Sequence, residues 1–238
     1  EEQPRHLVCF PFGSDRSVGA TRDWEVELDW WREFFRWARE VEVERIVLRS
    51  SATAYGLSFK NYGLMEEDRV SLLDETDLEQ RWVRIEEALT SAMGSAGSRA
   101  AILRFAPVAD PGEGDFLARL FLSTVAVPAA GCDPRLQFVS LRDGVSALLS
   151  ALDSRHSGVF NIAGKGCIEF RRSLRSAVPM RLPVGHTIQR LTRRALWKVG
   201  AVKEPAESVN QLQHNFTVSS ERARTKLGYE PGTSSQEA

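Results

Sequence analysis

A chain of 238 residues, 42% hydrophobic and 26% charged, has the composition of an ordinary globular protein and is long enough to bury a substantial core. Its formal net charge of −1 excludes a whole-molecule field that would draw it to nucleic acid or to an anionic membrane. The longest apolar runs, such as Val125–Ala130, are too short to span a bilayer, and the opening Glu1-Glu2-Gln3-Pro4 is acidic and polar, unlike a secretory signal.

Hydrophobic patterning divides the chain into alternating strands and helices. His6–Phe12 is a continuous apolar run, the signature of a strand buried on both faces. A polar loop, Gly13–Asp23, leads to Trp24–Val43, which has strong helical periodicity. Arg45–Leu48 reads as a second strand, entering Ser50-Ser51-Ala52-Thr53-Ala54-Tyr55-Gly56, and Leu57–Thr76 as a long loop. Asp77–Met93 is helical, and a Gly/Ser-rich turn, Gly94–Ser98, separates it from a third strand at Ala100–Phe105. Leu136–Val139 is a fourth strand, followed by a helix at Asp143–Leu152 with Asp143 as its N-cap, and Val159–Ile162 is a fifth. Helices near Phe170–Val178, Thr187–Val199 and Ser219–Leu227 complete the pattern. The alternation predicts an α/β fold with a Rossmann-like, mainly parallel sheet and helices on both faces. From about Pro179 the alternation breaks. The expected division is therefore a core over residues 1–178 and a small, mostly helical subdomain of substrate-binding type, packed on that core, over 179–238.

The three cysteines, Cys9, Cys132 and Cys167, are too few and too irregularly spaced for a disulfide framework or a zinc site. They read as structural, and a cytoplasmic location follows as the default. His6, His156, His186 and His214 show no metal-ligand spacing. Arg190, Arg193, Arg194 and Lys198 lie opposite Leu191, Leu196 and Trp197 on one helix. That pattern suits an anion-binding face or a solvated face over a small core.

Four segments carry a family resemblance. They are Arg45-Ile-Val-Leu-Arg-Ser-Ser-Ala-Thr-Ala-Tyr-Gly56; Ile102-Leu-Arg-Phe-Ala-Pro107; Leu136-Gln-Phe-Val-Ser-Leu-Arg-Asp-Gly-Val145 running on to Gly158-Val-Phe-Asn-Ile-Ala-Gly164; and Lys226-Leu-Gly-Tyr-Glu-Pro231. In this order and spacing, over nearly the whole chain, they resemble the NAD-dependent epimerase/dehydratase family of extended short-chain dehydrogenases. The resemblance implies that His6–Phe12 corresponds to the family's fourth strand. It implies NAD or NADP as cofactor and sugar nucleotides or hydroxysteroid-like alcohols as substrates.

The chain departs from that family in two places. No GxGxxG or GxxGxxG occurs; Gly112-Glu-Gly114 does not lead from a strand into a helix, so the turn that seats a dinucleotide pyrophosphate is missing from these residues. With the preceding strands absent, His6–Phe12 is expected at a bare sheet edge. The family's YxxxK pair is missing as well. It couples a proton-transferring Tyr to a Lys that lowers its pKa, and here Tyr55, Tyr62 and Tyr229 are followed four residues on by Phe59, Glu66 and Thr233. Alignment places Leu78 in the Tyr slot and Trp82 in the Lys slot. Ser51 matches the family's substrate-binding hydroxyl, although Ser50 and Ser51 equally suit backbone capping at a strand end. Lys60 and Tyr62, in the following loop, are the available substitutes for the lost pair.

The helix Trp24–Val43 bears two apolar stripes, one of Leu28, Trp31, Phe35 and Ala38 and one of Trp30, Phe34, Trp37 and Val41. A helix lying on a sheet needs one. The second stripe predicts a homodimer interface or docking of another protein, or else a wide core face under the loop Leu57–Thr76. The resemblance implies a dimer, because the family commonly pairs this helix with Asp77–Met93 in a four-helix interface. The functional expectation is a degenerate, non-catalytic binding or assembly module without bound cofactor. Its alternative is an NAD(P)-dependent oxidoreductase or epimerase whose cofactor-binding part lies outside these residues.

Overall fold

The computed structural model describes residues 4–11, 24–56, 64–68, 77–94, 100–110, 116–128, 130–198 and 212–238. Lys60 and Tyr62 lie outside them. In chain order the elements are β1 (His6–Cys9), α1 (Trp24–Glu40), β2 (Arg45–Ser51), a 3-10 turn (Ala52–Tyr55), α2 (Asp77–Met93), β3 (Ala100–Phe105) and β4 (Val108–Ala109). There follow α3 (Phe116–Phe121), β5 (Val125–Ala126), β6 (Arg135–Leu136), β7 (Val139–Ser140), α4 (Leu141–Asp153), β8 (Gly158–Ile162) and β9 (Ile168–Glu169). The last are α5 (Phe170–Ala177), β10 (Met180–Arg181), α6 (His186–Lys198) and α7 (Glu221–Leu227).

Period-2 alternation along the strands builds two cores back to back. Ile46 and Leu48 of β2 and Ala100 and Ile102 of β3 face Leu28, Phe35 and Ala38 of α1 and Ile85 and Leu89 of α2. The intervening residues Val47, Ala101 and Leu103 face Ala147 and Ala151 of α4 and Ala223 and Leu227 of α7. Apolar side chains on both sides of each strand are what a fully covered parallel sheet requires. The sheet has the order β1-β2-β3-β8, and every pairing in it is parallel. The α/β class, the mainly parallel sheet and the helices on both faces are as the pattern predicts. Among the described residues β1 pairs only with β2, so it forms one edge of this sheet.

A third core forms beyond the C-terminal ends of the strands. It joins Tyr55, Met65, Leu117, Phe138, Phe170, Leu174, Phe216 and Val218. Residues 212–238 return to the sheet: Phe216 bridges Leu136, Met65 bridges Val218, and Tyr229 is buried with its hydroxyl donating to Ala163 O at 3.1 Å. Gly228, at φ +67°, closes α7 in the left-handed conformation that lets its N–H reach Ala223 O.

Two local expectations are corrected. Leu136–Val139 is not one strand but parts of β6 and β7, because the Gln137 side chain intervenes in two directions. Its Nε2 donates to Gly164 O at 2.9 Å, and its Oε1 accepts from Val218 N at 2.9 Å. Asp143 is not the N-cap of α4. Ser140 caps the helix by accepting from Asp143 N, while the Asp143 carboxylate reaches the C-terminal tail and accepts from Gly232 N at 2.9 Å and Thr233 N at 3.0 Å. Gly164 is required where that tail passes: a Cβ there would stand 2.7 Å from Phe138 O and 3.0 Å from Thr233 O.

Candidate functional site

In an open parallel sheet, ligand chemistry collects at the C-terminal ends of the strands. Here those ends carry Ser50 and Ser51 from β2, Arg104 from β3 and Asn161 from β8, and α2 packs across the 3-10 turn. Glu86, on the buried face of α2, meets them. Its carboxylate accepts from Ser50 Oγ at 2.5 Å, from Arg104 Nη2 at 2.6 Å and from Arg104 Nε at 3.1 Å. Both members of the ion pair are almost wholly buried. The Arg104 guanidinium also lies 4.5 Å from the centre of the Tyr55 ring, over its face. Burial alone would lower the Arg104 pKa, but Glu86 outweighs it and holds the group above its ordinary value.

Tyr55 extends the cluster. Its hydroxyl donates to Asn161 Oδ1 at 2.6 Å. Burial raises its pKa, with Arg104 acting in the opposite sense, so the phenol is a neutral donor near pH 7. Asn161 then ties three segments together. Its Nδ2 donates to Met65 O and Ser219 O, each at 3.1 Å, and its backbone N–H donates to Glu67 Oε1 at 3.0 Å. Arg222 holds the same strap from outside, donating to Asp68 Oδ2 at 2.8 Å beside Glu67. The arrangement rigidifies the strand ends and leaves Glu86 with both oxygens engaged, unlike a carboxylate poised to accept a substrate proton.

Ser51 stands at the end of β2, half-buried. Its Oγ accepts from Thr53 N at 3.2 Å and Thr53 Oγ1 at 2.9 Å and so caps the 3-10 turn. Trp82 is buried on α2, one turn before Glu86. The Cys9 thiol is pushed up to about 12 by burial, the state of an unreactive core cysteine. Among the described residues no group of three or more His, Cys, Asp or Glu could hold a metal ion, and no helix is long and apolar enough to cross a membrane.

On α1 the two stripes have different fates. Leu28, Trp31, Phe35 and Ala38 are buried in the core. In the second stripe Trp30 and Trp37 are 55% and 41% exposed, while Phe34 and Val41 are partly buried. Trp30 stacks on Phe34 with ring centres 5.2 Å apart, and Trp30, Glu33, Phe34 and Trp37 line an open hollow.

Sequence reasoning singled out Ser51 but missed Glu86, Arg104 and Asn161 as one cluster. The signal was present: Glu86 interrupts the apolar face Trp82-Ile85-Leu89, and Arg104 is the lone charge in Ala100–Phe105. Two opposite charges on faces that must both be buried call for each other.

No family model matches the chain. It is 24% identical over 208 residues to the uncharacterized proteins Mb0513 of Mycobacterium bovis and Rv0501 of Mycobacterium tuberculosis, which covers 82% of this chain and 53% of each relative. The chain thus spans about half the length of the curated relatives it matches. Among solved structures it is similar to the UDP-glucose 4-epimerase of Thermotoga maritima with UDP-glucose (17% identity, TM-score 0.71, 98% of this chain and 74% of that one). It is similar also to the dTDP-glucose 4,6-dehydratase of Bacillus anthracis in complex with NAD (10% identity, TM-score 0.70, 98% and 69%). A third is the ADP-L-glycero-D-manno-heptose-6-epimerase of Helicobacter pylori (15%, TM-score 0.69, 98% and 69%). At these identities the likeness is one of fold: the chain has the Rossmann-like α/β fold seen in NAD-dependent epimerases and dehydratases.

Proposed function

We propose that these residues form a non-catalytic binding or assembly module built on an epimerase/dehydratase-type fold. The observation that carries this reading is the burial of Trp82 on α2, an indole in the slot that the family resemblance assigns to the catalytic Lys, where proton transfer with a nicotinamide cofactor needs a cation. Around it the acceptors are already engaged, with Glu86 bound by Arg104 and Ser50, and Ser51 turned to Thr53. The residues present do not fit NAD chemistry, since they supply neither the Lys nor a glycine-rich phosphate turn. The binding surface of the module is the stripe Trp30, Phe34, Trp37 and Val41, exposed at its two tryptophans and offered to a second copy or to another protein.

The test is a titration with NADH and NADPH, read as energy transfer from tryptophan to nicotinamide, followed by incubation with UDP-glucose and NAD. The expected result is neither saturable transfer nor turnover. Saturable micromolar binding with sugar turnover refutes the reading. Sedimentation velocity tests the stripe: a monomer at micromolar concentration, with no other protein retained, counts against it.

A second reading rests on the cluster Glu86–Arg104–Tyr55–Asn161 at the strand ends and on the sugar nucleotides named for the solved neighbours. In it, the chain is part of an NAD(P)-dependent epimerase or oxidoreductase whose cofactor-binding residues lie outside these 238.

A further inference from the structure

Charge that cancels over the whole chain is unevenly placed along it. Residues 165–198 hold nine Lys or Arg and one acid, Glu169, so the rest of the chain carries 22 basic residues against 31 acidic ones. This basic stretch contains α5, β10 and α6. Arg172, Arg175, Arg181 and Arg194 are all exposed. Arg181 Nη1 donates to Arg175 O and Val178 O, which fixes one guanidinium at the C-terminal end of α5.

The same lobe exposes large apolar side chains. Leu122, Met180, Leu182, Ile188 and Leu191 are each more than half exposed, and Val125 is 44% exposed. Their grouping is built into the backbone. β10 pairs parallel with β5, setting Met180 opposite Val125, and Leu182 N donates to Ala126 O at 2.9 Å. Gln189 is buried, and its Nε2 donates to Val127 O at 2.5 Å, fastening α6 to the residue that follows β5. Ile188 and Leu191, three residues apart, share one side of α6.

Neither half of this combination stands on its own. A solvated basic face needs no apolar side chains, and a nucleic acid would engage the arginines and leave six apolar groups without a partner. Exposed apolar groups and exposed arginines carried by one lobe match the boundary of a bilayer. There the apolar side chains enter the acyl region and the guanidinium groups meet anionic headgroups. The exposed stripe of α1 differs, because Asp29 and Glu33 are set among its arginines. We propose that the lobe formed by β5, β10, α5 and α6 docks on the surface of an anionic lipid bilayer without spanning it.

The test is flotation of the purified chain with vesicles of phosphatidylcholine alone and of phosphatidylcholine with phosphatidylglycerol. Binding is expected to the anionic vesicles only, and to weaken as salt rises. Replacing Arg175→Ser and Arg194→Ser together is expected to lower partitioning about 30-fold. Leu182→Glu with Leu191→Glu is expected to abolish it while the thermal unfolding midpoint stays near that of the parent, since both side chains face water. Absence of flotation with anionic vesicles overturns the proposal. So does binding that the two glutamates leave intact and that heparin reproduces, which would mark a polyanion site.

Discussion

The strand ends and the basic lobe treat arginine in opposite ways. Arg104 is buried against Glu86 and Tyr55, with its charge compensated inside the protein. Arg172, Arg175 and Arg194 lie in the open, on a stretch with a single acid to answer nine basic residues. The difference shows where the fold uses polar groups for its own cohesion and where it leaves them for something else. A buried pair costs desolvation and holds only while both partners remain, whereas exposed charges add little to stability. Mutations should therefore be severe at the strand ends and mild on the lobe, and the contrast can be broken from either side.

The largest effect is expected at the buried pair. Glu86→Ala strands the Arg104 charge and should cost about 3–5 kcal/mol in urea unfolding, whereas Glu86→Leu combined with Arg104→Met should recover most of that loss. If the single variant unfolds like the parent, Arg104 has an outlet to water and the cluster does not rigidify the strand ends. Next comes Asn161→Ala. It removes the acceptor of the Tyr55 hydroxyl and the donor to Met65 O and Ser219 O, with an expected loss of about 2–3 kcal/mol. Gly164→Ala is expected to cost about 1–3 kcal/mol, because its Cβ meets two backbone carbonyls that cannot turn aside.

Much of the fold was legible in the sequence. Ala100–Phe105 and Asp77–Met93 have the expected bounds, since a short run that is apolar but for Arg104 fits a buried strand and a sustained 3.6-residue period fits a helix. The two-residue strands β4, β5, β9 and β10 were not legible: each pairs with a segment remote in sequence, and two residues carry no period. The same holds for the site. Ser51 could be picked out because it sits in a local motif. Glu86, Arg104 and Asn161 come from α2, β3 and β8, and only the sheet register brings them together. The N-cap of α4 was misassigned by three residues because Ser140 and Asp143 are both good caps, and what decides between them is the return of Gly232 and Thr233, 89 and 90 residues on from Asp143.

The smallest expected effect is one of pH, and it concerns that same tail. Burial of Asp143 would raise its pKa, but hydrogen bonds from Gly232 N, Ser140 and Thr233 N outweigh burial and hold the carboxyl below its ordinary value. A folded-state pKa below the unfolded one means that the stabilisation is fully present above the unfolded value of about 3.9 and is lost as pH falls through the folded one. Asp143→Asn keeps one acceptor for the two backbone donors. It should therefore cost about 1 kcal/mol at pH 7 and flatten the fall in stability below about pH 4. Urea midpoints of parent and variant, measured from pH 7 down to pH 3, should converge at the acid end. Parallel curves would show that the tail is held by Ser235, whose Oγ bonds Phe138 and Gly166 without titrating, and not by the carboxylate.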